Sequence, residues 1–158
     1  MKISFLSLLA ALASVTSIFA QSDVRLIDGL YRNADGTIFT GEAVIEASAD
    51  GATQKQRIHV SNGLMDGDVN YYNAKGYLEE AGHYTMGKKD GVWTQYSSGG
   101  GKLGEAFYKD GKKDGIWTVW DENGVKRYHM VYSMGKKIDT WKMWDEKANL
   151  VSERIYNE

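Results

Sequence analysis

Cysteine and proline are both absent from the 158 residues. Without cysteine the chain has no disulfide, no thiol nucleophile, no lipidated N-terminal cysteine and no thiolate metal site, so its stability rests on packing. Average usage near 5% would put about seven prolines in the part of the chain beyond residue 20 alone. Turns must instead come from the 18 glycines, all of which lie beyond residue 20. An excess of either charge is missing too: 19 Lys and Arg stand against 21 Asp and Glu, with a pI near 5.9, whereas a nucleic-acid-binding domain is expected above about 9. After the first twenty residues no stretch approaches the roughly 18 apolar residues of a membrane span. What remains, 42% apolar and 25% charged, is the composition of one globular domain and not of a disordered tail.

Lys2 precedes an apolar run, Ile3 to Ala13, broken only by Ser4 and Ser7, and Ile18-Phe19-Ala20 ends on the small residue that a signal peptidase prefers. The run is too short to span a membrane. Residues 1–20 are therefore expected to be a cleaved signal peptide. The mature chain then starts at Gln21, is secreted or periplasmic, and carries no transmembrane segment.

Self-similarity dominates the rest. Gly63-Leu64-Met65-Asp66-Gly67, Gly87-Lys88-Lys89-Asp90-Gly91, Gly111-Lys112-Lys113-Asp114-Gly115 and Gly135-Lys136-Lys137-Ile138-Asp139 recur at a step of 24 residues. Other columns keep that step: Val60, Tyr84, Tyr108, Tyr132; Val69, Trp93, Trp117, Trp141; Tyr72, Tyr96, Trp120, Trp144. A degenerate copy is read upstream, where Phe39-Thr40-Gly41 stands 26 residues ahead of its counterpart and the excess falls near Asp50 to Gln56. The organisation is thus a signal at 1–20, N-terminal strands with a degenerate first repeat at 21–56, and four repeats at 57–158.

Aromatic and β-branched residues cluster in short runs bounded by Gly, Asn and Asp, and no helical stripe competes. Each repeat reads as two strands. Asn123-Gly124 signals a two-residue type I′ hairpin, and Gly87 to Asp90 fits a four-residue loop. That loop would set Tyr84 opposite Trp93, while the Asn123-Gly124 turn would set Met130 opposite Trp117. Alternation then puts a Tyr/Trp stripe on one face and sends Val92, Ile116, Tyr96 and Trp120 to the other. The expected fold is all-β: an elongated, single-layer antiparallel meander of 24-residue β-hairpin repeats.

The pattern Gly-Lys-Lys-Asp-Gly-x-Trp-x-x-Tyr/Trp, followed by Asn-Gly and a polar strand, resembles the MORN-variant repeat of bacterial proteins often labelled YwqK-type antitoxins. The likeness covers Arg57 to Glu158, is closest over Gly111 to Lys126, and departs in the last copy, where Ile138-Asp139 stands for Asp-Gly. The resemblance implies a hairpin sheet used for protein association or, in the broader group, for contact with membrane lipid, and it implies no enzyme. An antitoxin-like role in a toxin–antitoxin pair is one function it suggests.

No residue set is expected to carry catalysis. His59 and His83 share a repeat column, but two strands place them about 10 Å apart, too far for one metal ion, and His129 has no ligand cluster at useful spacing. No phosphate loop, nucleophile elbow or zinc motif occurs. Neither metal nor cofactor is expected. Two sets remain as candidate sites. The aromatic columns Tyr84, Trp93, Tyr96, Tyr108, Trp117, Trp120, Tyr132, Trp141 and Trp144 are either core or a partner-binding surface. Lys88, Lys89, Lys112, Lys113, Lys136 and Lys137 would line one edge of the sheet at about 10 Å intervals, a ladder for anions. The function these imply is a non-catalytic scaffold for a protein or envelope component; the other reading is a module for carbohydrate, anionic polymer or lipid.

Overall fold

A computed structural model describes residues 18–20, 23–49 and 52–157. Its strands are β1 (Ile18–Ala20), β2 (Arg25–Ile27), β3 (Leu30–Arg32), β4 (Gly41–Ala49), β5 (Ala52–Ser61), β6 (Leu64–Tyr72), β7 (Leu78–Thr85), β8 (Lys88–Tyr96), β9 (Lys102–Lys109), β10 (Lys112–Trp120), β11 (Lys126–Ser133), β12 (Lys136–Trp144) and β13 (Leu150–Tyr156). β4 to β13 lie side by side in chain order as an open antiparallel meander; β1 adds to the outer edge of β4, and β2–β3 form a separate hairpin. The all-β hairpin array is as its periodicity requires. The expected signal segment lies outside the described residues except for Ile18–Ala20, which pair with Ala47, Glu46 and Ile45. The excess of the degenerate repeat lengthens the β4–β5 hairpin, whose register runs unbroken from Gly41↔Val60 to Ala49↔Ala52.

The two kinds of turn are the reverse of the sequence expectation. Thr85 pairs with Lys88 across Met86-Gly87, so the connection has two residues, both with positive φ (48° and 78°), as a type I′ turn demands. Asn62-Gly63, Asp110-Gly111 and Met134-Gly135 repeat it. Methionine is a poor residue for that region, and its place is held from the preceding repeat. Asp66 accepts the Met86 N–H and Asp114 accepts that of Met134 (2.9 Å), while Gly87 and Gly135 donate to the carbonyls of Met65 and Lys113 (both 2.7 Å). The Asp of each Gly-x-x-Asp-Gly motif is thus a tie between successive turns. Asn123-Gly124, by contrast, sits in a three-residue loop: Gly124 donates to the Asp121 carbonyl and Asp121 to the Val125 carbonyl. The Asp121 carboxylate takes the N–H groups of Asn123 and Val125, an arrangement that favours a type I turn with a left-handed glycine behind it.

A bulge in each of the tight-turn hairpins beyond β5 sets the aromatic register. Tyr84 pairs with Lys89 and not with Trp93, because between His83↔Asp90 and Ala81↔Thr94 the strand β8 carries extra residues, among them Gly91 at φ 70°. The bulge still brings the Tyr84 and Trp93 rings edge to face at 5.1 Å. Met130 does stand opposite Trp117. The rings then form a continuous stack, Tyr84–Trp93–Tyr108–Trp117–Tyr132–Trp141–Tyr156, at centroid spacings of 4.8 to 6.2 Å. Each indole N–H donates to the carbonyl ten residues earlier: Trp93 to His83, Trp117 to Phe107, Trp141 to Val131. This face, the front face below, holds the core together with Ala43, Ile45, Ile58, Val60, Val69 and, from the N-terminal segment, Val24 and Tyr31.

Candidate functional site: two faces of one sheet

The aromatic columns divide by burial. Tyr84, Trp93, Trp117 and Tyr132 are buried, Tyr108 and Trp141 pack partly buried against them, and Tyr96, Trp120 and Trp144 are half-buried. Of the two readings open for these columns, core or partner-binding surface, the first four are core. The reason is that each ring lies across the neighbouring strand and is closed over by the next ring in the stack.

The lysine pairs do not line a single edge. Strand alternation splits them: Lys88, Lys112 and Lys136 pair with Thr85, Lys109 and Ser133 on the back, whereas Lys89, Lys113 and Lys137 share the front with Tyr84, Tyr108 and Tyr132. There each front ammonium sits over a tryptophan, Lys89 at 3.5 Å from the Trp93 centroid, Lys113 at 4.2 Å from Trp117 and Lys137 at 4.6 Å from Trp141. Their surroundings differ. Lys89 is ion-paired with Glu80 at 3.4 Å, and burial lowers its pKa against the opposing pull of that carboxylate. Burial lowers the pKa of Lys113 as well, and the like charge of Lys137 lowers it further. On the back, Lys88 reaches Asp110 at 3.9 Å.

The back face carries two columns the sequence only half announces. Val92, Phe107 and Ile116 are 49%, 41% and 56% exposed. Val92 pairs with Phe107 and Ile116 with Val131, and Val131 pairs in turn with Ile138, so one apolar stripe crosses β8 to β12. Exposed Ile155 on β13, the partner of Thr140, continues it. Beside it, over β4 to β7, lies an open polar cavity of about 450 Å³ lined by Glu42, Arg57, His59, Asp68 and His83 among others. Its histidines do not converge: His83 Nδ1 is 2.9 Å from Asp68 and His59 Nδ1 is 3.8 Å from Glu42. Among the described residues no three His, Asp or Glu are grouped to hold a metal ion. No helix among them is long and apolar enough to cross a membrane. His129, on the back of β11, has its pKa lowered by burial and by Lys126 and Lys142.

With these two faces described, comparison adds no relative. No protein-family model matches this chain, and no curated protein matches it.

The buried phenols make one measurable consequence. Burial, with Tyr84 beside it, raises the Tyr31 pKa to about 12, and burial, with Glu80 beside it, raises that of Tyr108 to about 12. An unfolded tyrosine titrates near 10, so between about pH 10 and 12 the folded state holds protons that the unfolded chain has lost. Stability is then full below about pH 10 and falls as pH rises toward 12. Urea denaturation at about pH 8 and about pH 11 is expected to show a lower midpoint at the higher pH; equal midpoints would mean that the phenols reach solvent in the folded state.

Proposed function

We propose that the chain is a non-catalytic β-repeat scaffold, exported by its N-terminal leader, that binds a protein of the cell envelope through the back-face apolar stripe. The observation that carries this reading is the exposure of Val92, Phe107 and Ile116 side by side. A contiguous apolar patch left open on a folded domain marks an interaction surface more often than not. The front rings, being core, serve to hold that stripe flat and in register. The resemblance to association repeats points the same way.

The test pairs Phe107→Asp with Ile116→Asp. Both side chains already face water, so the double variant is expected to keep its thermal midpoint within about 0.5 kcal/mol of stability. It should lose retention on an isolated envelope fraction that holds the unaltered protein, and protease treatment of that fraction should abolish retention too. Retention unchanged by the double substitution would remove the stripe from the function, and protease-resistant retention would remove the protein partner.

A further inference from the structure

The front face of β10 to β13 is chemically unlike the rest of the sheet. By register its side chains are Lys113, Trp117 and Val119, then Tyr128, Met130 and Tyr132, then Lys137, Asp139, Trp141 and Met143, and finally Ser152, Arg154 and Tyr156. Three of these are cations and one, Asp139, is a carboxylate, so the face keeps a cationic excess. The acids of these strands have partners of their own: Asp114 takes the Met134 N–H of the next turn, Asp139 takes the N–H of Thr140 beside it, and Glu153 pairs with Lys142 on the back face at 3.0 Å. Among the described residues Lys113, Lys137 and Arg154 form no ion pair, unlike Lys89 with Glu80 one repeat earlier. Their cations are held over rings instead: Lys137 lies 5.3 Å and Arg154 5.2 Å from the centroid of Tyr156. Trp141 and Tyr156, on which this group converges, are only half-buried.

We propose that this surface binds an acidic polysaccharide of the uronate type, with its carboxylates on Lys113, Lys137 and Arg154 and its sugar rings against Trp141 and Tyr156. The chemistry of the two components calls for both halves of such a ligand. Unpaired cations over aromatic faces need an anion, and half-open rings beside them offer apolar area to the C–H face of a sugar. Spacing argues against an extended acidic peptide. Lys113 and Lys137 stand two strands apart, about 10 Å. Side chains on one side of an extended peptide repeat every two residues, about 7 Å, out of step with that interval, whereas a disaccharide is about as long as the interval itself. A bound carboxylate beside Lys113 would also offset the repulsion it feels from Lys137.

The probe is a size-defined oligogalacturonate, titrated calorimetrically into the folded protein at low salt. Saturable binding is expected, weakening as salt is raised because the charges are solvent-screened. Lys113→Gln with Lys137→Gln should weaken it about tenfold or more, and Arg154→Gln, at an exposed edge where folding is not at stake, about tenfold. Lys112→Gln with Lys136→Gln removes the same charge from the opposite face and should change it less than about twofold. Neutral cello-oligosaccharide should bind far more weakly. Absence of oligogalacturonate binding, or an equal loss in the back-face control, overturns the proposal. Equal or tighter binding of polyglutamate also overturns it, since charge alone would then be the ligand. The Phe107→Asp, Ile116→Asp variant should bind the probe normally, so the two faces fail or stand separately.

Discussion

Replacing Trp117 with alanine is expected to cost about 3–5 kcal/mol, a large share of the 5–15 kcal/mol that holds a small domain together. Trp117 is 1% exposed. Its ring lies between Tyr108 at 5.1 Å and Tyr132 at 5.3 Å, its indole N–H donates to the Phe107 carbonyl at 2.9 Å, and Lys113 covers it. Alanine would leave a cavity in the middle of the stack, and neighbouring repeats cannot close in because the strands are locked in register on both sides. Trp117→Phe keeps most of the ring and loses the indole bond, so it should cost about 1–2 kcal/mol. Trp144 is the comparison: half-buried, with Lys126 at 5.8 Å as its ring contact, it should cost about half as much or less when cut to alanine. Urea midpoints measured on all three decide it. A Trp117→Ala loss below about 1 kcal/mol would show that the stack is a surface ornament and not the core.

The second large effect is steric. Gly82 has an ordinary backbone conformation, yet an added Cβ would stand 2.3 Å from Trp93 Cδ2 and 2.4 Å from Cε2. The corresponding residues one and two repeats on are Ala106, paired with Trp117, and Met130, which faces the bulged stretch of β12 that carries Trp141. The fold therefore tolerates a side chain there, provided the indole rides higher. Trp93 cannot rise freely, because Lys89 presses on it from 3.5 Å while tied to Glu80, against 4.2 Å and 4.6 Å for the lysines over Trp117 and Trp141. Gly82→Ala is expected to cost about 2–3 kcal/mol, as overpacking does. Gly124→Ala meets no atom within 4 Å but must hold φ near 78°, a strain of about 1 kcal/mol. If thermal melts show Gly82→Ala no worse than Gly124→Ala, Trp93 shifts as readily as its counterparts do.

Several parts of this architecture were legible before any coordinates. The 24-residue step announced the number and order of hairpins from Arg57 onward, and alternation placed Val92 and Ile116 opposite the tryptophans. Met130 was correctly set against Trp117, because a three-residue loop closed by a glycine bulge carries the strands beyond it in the same register as the two-residue turn expected there. The Asn123-Gly124 turn was misread because the Asp121 carboxylate closes a longer loop around it. The stretch Gly87 to Asp90 reads as a four-residue loop, whereas the turn is Met86-Gly87, supported by the Asp66 carboxylate 20 residues away. Arg154, which completes the cationic surface, sits in a strand with no repeated lysine and gave no signal. Its meaning comes only from pairing with Trp141.

The sequence by itself determined the all-β class, the repeat length, the strand order and the absence of thiol chemistry, because each follows from local periodicity and composition. Only the tertiary structure decided which rings are core, that each lysine pair divides between two faces, and that Lys113, Lys137 and Arg154 are left without an ion pair while Lys89 has one. The physical reason is that burial and charge balance belong to neighbours across strands. The bulges, which no residue pattern within one repeat specifies, choose those neighbours.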